Sequence, residues 1–274
     1  MSVSSSRIAK LEEKIKVKRL FIVGGMIAAA SLSAFGITYP VPLPTNIVPC
    51  NQQGLTVGIL TTQGLACQQD DKVFGNFQWN GTYDPNQIIV NGIHDPGYPG
   101  NSFVDPGITF AGVFSAAPAT NGNFDIAYFV WVVDPNYLIE NASLTITGVQ
   151  LGGNGFIGGS EDWCAGAVGF GQACIDNGGQ AAHSTVSITG AQTTFTDTVF
   201  FTPNVTFMAV TKDISVHGDT LCPTCAPGVD NTEFSRIDQQ YSQNLQSTPE
   251  PVSMTLLGSG LIAFGFIGRK LRKK

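Results

Sequence analysis

Short runs rich in Val, Ile, Thr, Phe and Trp fill the middle of the chain, and turn residues punctuate them. They cover residues 73–79, 87–93, 108–114, 125–133, 143–151, 184–192, 194–201 and 205–216. Several alternate, as Leu144 and Ile146 do against Thr145 and Thr147, which is the period-2 mark of a strand with one buried face. β-Branched and aromatic residues suit that pleated, half-buried surface. Asn80-Gly81 and Asn91-Gly92 read as type I′ hairpin turns. Asp-Pro pairs begin at Asp84, Asp95, Asp105 and Asp134, where Asp suits the first turn position and Pro the second. Helical spacing is scarce. Phe234, Ile237, Tyr241 and Leu245 fit a short helix, although Ile237 and Tyr241 equally fit a last strand. About eight strands joined by close turns predict an all-β fold, an antiparallel β-sandwich with jelly-roll-like topology. A proline-rich stretch, residues 37–46, should be an extended lead-in.

Both ends break this pattern with longer apolar segments flanked by cations. Lys14, Lys16, Lys18 and Arg19 stand directly before an uncharged run at residues 20–36, which closes on small residues. That is the order of a secretory signal peptide, with Ala34-Phe35-Gly36 or Ser31-Leu32-Ser33 as the site for signal peptidase. An uncleaved signal anchor is the alternative, since 20–37 is near the minimum spanning length. At the other end residues 252–268 carry no charge. As a helix rising about 1.5 Å per residue they extend roughly 25 Å, slightly less than the apolar thickness of a bilayer at about 30 Å. Arg269, Lys270, Arg272, Lys273 and Lys274 follow at once as a basic stop cluster. Cations remain on the cytoplasmic side, so everything between the two ends is expected beyond the membrane. Three regions result: a signal peptide at 1–36, an extracytoplasmic sandwich at 37–247, and a tail with a transmembrane helix at 248–274.

Pro249-Glu250-Pro251, a Leu/Gly-rich apolar segment and the terminal Arg/Lys cluster, in that order, resemble the PEP-CTERM sorting signal of exported bacterial proteins. Thr248 departs slightly from the family, which often has valine there. The resemblance covers about the last 26 residues and implies nothing about the body. It implies that the tail is recognised by exosortase, a membrane-embedded thiol protease or transpeptidase, in a diderm bacterium that secretes exopolysaccharide. Localisation in the cell envelope, at the cell surface or in the extracellular matrix follows from the same resemblance.

Charge sharpens the division. Residues 37–251 hold only Lys72, Lys212 and Arg236 against 18 Asp and Glu. A body that acidic repels nucleic acid and anionic lipid. Charged residues are 12% of the chain and hydrophobic ones 43%, which favours a folded body over a solvated tail. All six cysteines, Cys50, Cys67, Cys164, Cys174, Cys222 and Cys225, lie outside the membrane segments. An even count in an exported protein reads as disulfides. Fifteen pairings are open to six cysteines. Local pairing, Cys50–Cys67, Cys164–Cys174 and Cys222–Cys225, is the expectation, each bridge closing a short surface loop.

Candidate chemistry is thin. Gly153, Gly155 and Gly158 fit the dinucleotide pattern GxGxxG, but Gly159-Ser160-Glu161-Asp162 is a poor helix start and no βαβ unit surrounds it, so a flexible loop is expected. Cys222-Pro223-Thr224-Cys225 has redox or zinc spacing without a second ligand pair. Glu161-Asp162 could supply carboxylates for glycoside hydrolysis, yet neighbours on a strand face opposite ways. Calcium is the one cofactor with candidate ligands, at Asp70-Asp71, Asp84, Asp95, Asp105 and Asp176-Asn177-Gly178, and Asp is expected at turns in any case. No catalytic, cofactor-binding or metal set is therefore assigned, and the chain is not expected to be an enzyme. Two readings remain: a non-catalytic structural or adhesive protein working with exopolysaccharide, or a carbohydrate-binding or carbohydrate-active sandwich. Trp79, Trp131 and Trp163 discriminate them, since exposure along a groove favours glycan binding and burial favours plain core.

Overall fold

Alternating side chains give two facing sheets in the computed structural model, which describes residues 40–94, 105–219 and 231–245. The strands are β1 (Ile47–Pro49), β2 (Ala66–Gln69), β3 (Lys72–Gly81), β4 (Ile89–Ile93), β5 (Gly107–Ala116), β6 (Asn121–Val132), β7 (Tyr137–Thr147), β8 (Phe156–Ala165), β9 (Gln180–Ile188), β10 (Thr194–Val205), β11 (Phe207–His217) and β12 (Thr232–Leu245). One sheet runs β1-β2-β3-β6-β11-β8-β9 and the other β10-β7-β12-β5-β4. From β5 onward, β5-β12-β7-β10 faces β6-β11-β8-β9, which is the strand order of a jelly roll. The all-β sandwich expected from the sequence is present. The first four strands extend both sheets at one side.

The core lies between the sheets. Along β11, Met208, Val210, Ile214 and Val216 point inward, and Ala142, Leu144 and Ile146 of β7 meet them from the other sheet. Aromatic rings fill one end. Phe114 stacks on Phe234 with centroids 4.6 Å apart, and it also packs on Phe124 at 5.0 Å. Phe114 is 1% exposed, so its truncation to alanine would cost about 3–5 kcal/mol through lost burial and the cavity left behind.

A second cluster sits on the outer face of the seven-stranded sheet. Ala66, Val73, Trp131 and Phe207 are buried there beneath Val41 and Leu43 of the lead-in and Ile47 of β1, and Trp131 Nε1 donates to the Val41 carbonyl at 3.0 Å. The Cys164–Cys174 disulfide covers the adjoining area with Ala167 and Ala209. Among the described residues nothing covers the rest of that outer face.

Several expectations need correction. Of the stretch 153–158 expected as a loop, residues 153–155 are a turn, but from Phe156 the chain is β8, held between β11 and β9. Asn80-Gly81 and Asn91-Gly92 make no hairpins: the first pair ends β3 opposite Asp125 and Phe124, the second lies inside β4 opposite Thr109 and Ile108. The tight hairpin is at Asp70-Asp71, where Gln69 pairs with Lys72 and Asp70 takes φ +53°. Of the two forms left open for Phe234, Ile237, Tyr241 and Leu245, the strand is the one present, over residues 232–245. A helix at Val57–Gln63 was not foreseen, although Thr56 caps it by accepting from the Ile59 N–H at 3.2 Å and Gly64 ends it at φ +61°.

Cys50–Cys67 and Cys164–Cys174 are paired as expected. Cys222 and Cys225, the signal peptide, Pro249-Glu250-Pro251, the apolar tail and its basic cluster lie outside the described residues. Among the described residues no helix is long and apolar enough to cross a membrane.

Candidate functional site

The open half of the seven-stranded sheet is built by strand alternation. Where β6, β11 and β8 turn their core residues inward, the intervening positions face out and are polar. Register then lines them up in rows across the strands. Asn80, Asp125, Asp213, Ser160 and Thr185 are successive cross-strand neighbours from β3 to β9. The next row is Asn123, Ser215, Gly158 and Ser187, and beyond it come Asn121, His217 and Phe156. Toward the covered half, Asp162 pairs with His183.

Side-chain bonds tie the rows together. Asn80 Nδ2 donates to Asp125 Oδ2 at 3.2 Å. Asp213 faces Asp125 across the strands, and its pKa is raised by partial burial, by the Asp125 charge and by interaction with that carboxyl. His183 Nδ1 lies 2.8 Å from Asp162 Oδ1. Ser215 donates its hydroxyl to the Gly158 carbonyl at 3.1 Å, and His217 lies within hydrogen-bond distance of Ser215 Oγ through Nε2 and of Asn121 Oδ1 through Nδ1, both at 3.0 Å. That imidazole is a fixed platform. Phe156 stacks on it with centroids 4.2 Å apart and planes 13° from parallel, yet remains 41% exposed. A Cβ at Gly158 would stand 3.3 Å from the Phe156 ring, so glycine there leaves room for the ring to lean along the sheet.

This face therefore offers an aromatic surface, carboxylates, amides and hydroxyls side by side. Such a set suits a polyhydroxylated ligand, whose hydroxyls exchange hydrogen bonds with carboxylate and amide while its C–H face packs on a ring.

The residues singled out from the sequence fall elsewhere. Glu161 and Asp162 lie on opposite faces of β8: Glu161 is fully buried against Lys212, and Asp162 faces out toward His183. They cannot act as a pair. Trp131 and Trp163 are 1% and 0% exposed, and Trp79 packs on Phe124 with centroids 5.0 Å apart, so all three belong to core packing and none lines a groove. Gly153, Gly155 and Gly158 lead into and form β8, with no helix behind them. Of the carboxylates considered for calcium, Asp70, Asp71, Asp84 and Asp176 are engaged at turns, and Asp95 lies outside the described residues. Asp71 is paired with Lys72 at 2.8 Å, Asp70 with His94 at 3.0 Å, and Asp84 caps the turn Pro85–Gln87 through the Asn86 N–H at 2.9 Å. Asp176 accepts from Gln172 Nε2 at 2.8 Å. Among the described residues no group of three metal-ligating side chains converges. Phe156, the ring that does reach the open face, was passed over, although the alternation Phe156, Gly158, Ser160, Asp162 carried the signal.

A hollow at the edge of the five-stranded sheet, lined by Tyr83, Ile88, Ile89, Gly112 and Val113, is largely apolar. Its one carboxylate, Asp84, is already bonded to the Asn86 backbone.

No family model matches the chain, and no curated protein matches it. Among solved structures it is similar to the carbohydrate-binding module TmCBM61 in complex with β-1,4-galactotriose, at 13% identity and a TM-score of 0.29, covering 62% of this chain and 89% of that one. It is also similar to the family 11 carbohydrate-binding module from Clostridium thermocellum in complex with a β-1,3-1,4-mixed-linked tetrasaccharide. There the identity is 11% and the TM-score 0.22, over 64% of this chain and 91% of that one. Likenesses at this level assign neither family nor ligand, so a functional reading has to come from the chain's own residues.

Proposed function

We infer that this chain is an exported, non-catalytic surface or matrix protein whose sandwich holds exopolysaccharide on the open face of its seven-stranded sheet. The observation that carries the reading is the exposed Phe156 ring, fixed on His217 and set beside a row of carboxylate, amide and hydroxyl groups. A non-catalytic role is supported by the placement of the acids. Glu161 and Asp162 lie on opposite faces of β8, whereas glycoside hydrolysis uses carboxyls that face each other roughly 5–9.5 Å apart about the bond to be broken.

Export is supported by the two disulfides, which persist in oxidising compartments outside the cytoplasm. Delivery follows from the sequence: signal peptidase removes residues 1–36, the C-terminal helix holds the tail in the membrane, and exosortase acts at Pro249-Glu250-Pro251. The body then remains in the envelope or the extracellular matrix in a structural or adhesive role. The test is retention of the purified exported protein by the host's own exopolysaccharide in affinity electrophoresis, together with an assay for release of reducing sugar from it. Retention without hydrolysis is expected. Absence of retention would overturn the reading.

A further inference from the structure

Between the sheets, Lys212, Glu161 and Gln239 meet in a pocket closed to water. Lys212 on β11 and Glu161 on β8 are direct cross-strand partners that both point inward, and Gln239 reaches them from β12 of the facing sheet. All three are 0% exposed. Lys212 Nζ is hydrogen bonded to both Glu161 Oε1 and Gln239 Oε1. Gln239 Nε2 and Glu161 Oε2 are buried with no hydrogen-bond partner. Tyr128 and Tyr241, both buried and bonded to each other at 3.2 Å, close the site on the aromatic side.

An ordinary structural ion pair does not account for this arrangement. A carboxylate and an ammonium taken out of water need all their remaining hydrogen-bonding positions filled, and here one carboxylate oxygen and one amide NH2 are left bare. Burial also drives both ionisable groups toward their neutral forms, lowering the Lys212 pKa and raising that of Glu161 to about 7. A neutral amine is a nucleophile, and a neutral carboxylic acid is a proton donor. The Gln239 amide carbon lies one carbonyl bond, about 1.2 Å, behind the oxygen that Nζ contacts, so the amine is already within reach of it.

We propose that Lys212 and Gln239 form an intramolecular isopeptide bond, with Glu161 as the proton carrier. Lys212 Nζ attacks the Gln239 amide carbon, and a C–N bond forms while the negative charge passes to Oε1. Glu161 takes a proton from the attacking nitrogen and delivers one to Gln239 Nε2. The old C–N bond then breaks and ammonia leaves. The products are a secondary amide, ammonia and an unchanged Glu161. No oxidant, metal or cofactor enters the balance. The reaction also removes both liabilities, since the unpartnered NH2 departs and the buried amine becomes an uncharged amide.

The bond has a mechanical consequence. It joins β11 of one sheet to β12 of the other, and β12 is the last strand before the tail at 248–274. Force applied through the tail would be carried across the sandwich at Gln239 instead of unzipping β12 from β5 and β7. This goes beyond the glycan reading and does not depend on it.

Intact mass of the exported wild-type protein decides the matter without any variant. The expected value is the mature sequence with its disulfides, lighter by one ammonia, with a cross-linked peptide containing Lys212 and Gln239 after proteolysis and no tryptic cleavage at Lys212. Glu161→Gln should keep both partners unlinked at full mass. A wild-type protein of unreduced mass, a Lys212 that trypsin cleaves, or a loss of ammonia mapping elsewhere would each overturn the bond. A folded Glu161→Gln protein that still cross-links would overturn the role of Glu161.

Discussion

Asp213 on β11 lies directly across from Asp125 on β6, both on the open face of the sheet. Two like charges this close favour retention of one proton between them. Asp213 should titrate above the ordinary aspartate value of 3.8 in the folded protein. Its folded pKa exceeds its unfolded one, so the folded chain binds more protons in that window and this group's stabilising contribution declines as pH rises through it. Carboxyl-carbon NMR titration checks the shift. Asp125→Asn should return Asp213 toward the ordinary value, and an unchanged midpoint would separate the two residues.

The Lys212–Glu161 contact makes a second prediction. Glu161 titrates near 7 against an ordinary 4.5, so between those values the folded chain holds the extra proton and stability falls as pH rises. Glu161→Gln should flatten this part of the stability–pH profile. Lys212→Met leaves Glu161 Oε1 and Gln239 Oε1 buried without the partner they share, at about 1–3 kcal/mol each, and pairing it with Glu161→Leu should recover part of the loss. Urea midpoints at pH 5 and pH 7.5 for the single and double variants supply the comparison.

Both described disulfides close short loops, with sequence separations of 17 and 10 residues. Replacing Cys164 and Cys174 together by alanine should lower stability by about 2–3 kcal/mol. Alkylation of the unreduced exported protein should leave Cys50, Cys67, Cys164 and Cys174 unmodified.

In the native host the mature protein should lack the residues that follow about Pro249-Glu250-Pro251. On the sorting-signal reading, the prolines would keep a helix from running on through this point, and the basic cluster would stop the tail from passing through the membrane. Changing Pro249, Glu250 and Pro251 to alanine should leave a full-length species in the membrane fraction. A wild-type C-terminus still ending Arg272-Lys273-Lys274 would make the segment a permanent anchor.

Strands with plain alternation, such as β5, β6 and β11, were legible in the sequence because one face meets the core along their whole length. Four were not: β1 and β2 are only three and four residues long, and β12 and β8 are hidden for separate reasons. β12 shows helix-like spacing because a bulge between Phe234 and Arg236 adds a residue, so Phe234 and Ile237, three apart, share the inward face. β8 is obscured by glycine and a buried acid. Gly159 sits at φ +151°, and a Cβ there would stand 2.0 Å from the Asp213 carbonyl, so close strand approach excludes any larger residue. Glu161 reads as surface and is core, because its partners Lys212 and Gln239 are far away in sequence. The open face was hidden likewise: Asp125, Ser160 and Asp213 form one row only through pairing, which spacing along the chain does not reveal.

The most direct test of the account is affinity electrophoresis of the exported protein in gels containing the host's exopolysaccharide, comparing substitutions on the two outer faces. Phe156→Ala should weaken retention about tenfold, as loss of a stacking contact of about 1.4 kcal/mol implies. Asp125→Ala should weaken it further. Thr145→Ala with Thr196→Ala, on the outer face of the five-stranded sheet where the two hydroxyls meet at 3.2 Å, should leave it unchanged. Retention insensitive to Phe156 and Asp125 but lost with the threonine pair would contradict the assignment of the face, and no retention of the wild-type protein would contradict glycan binding itself.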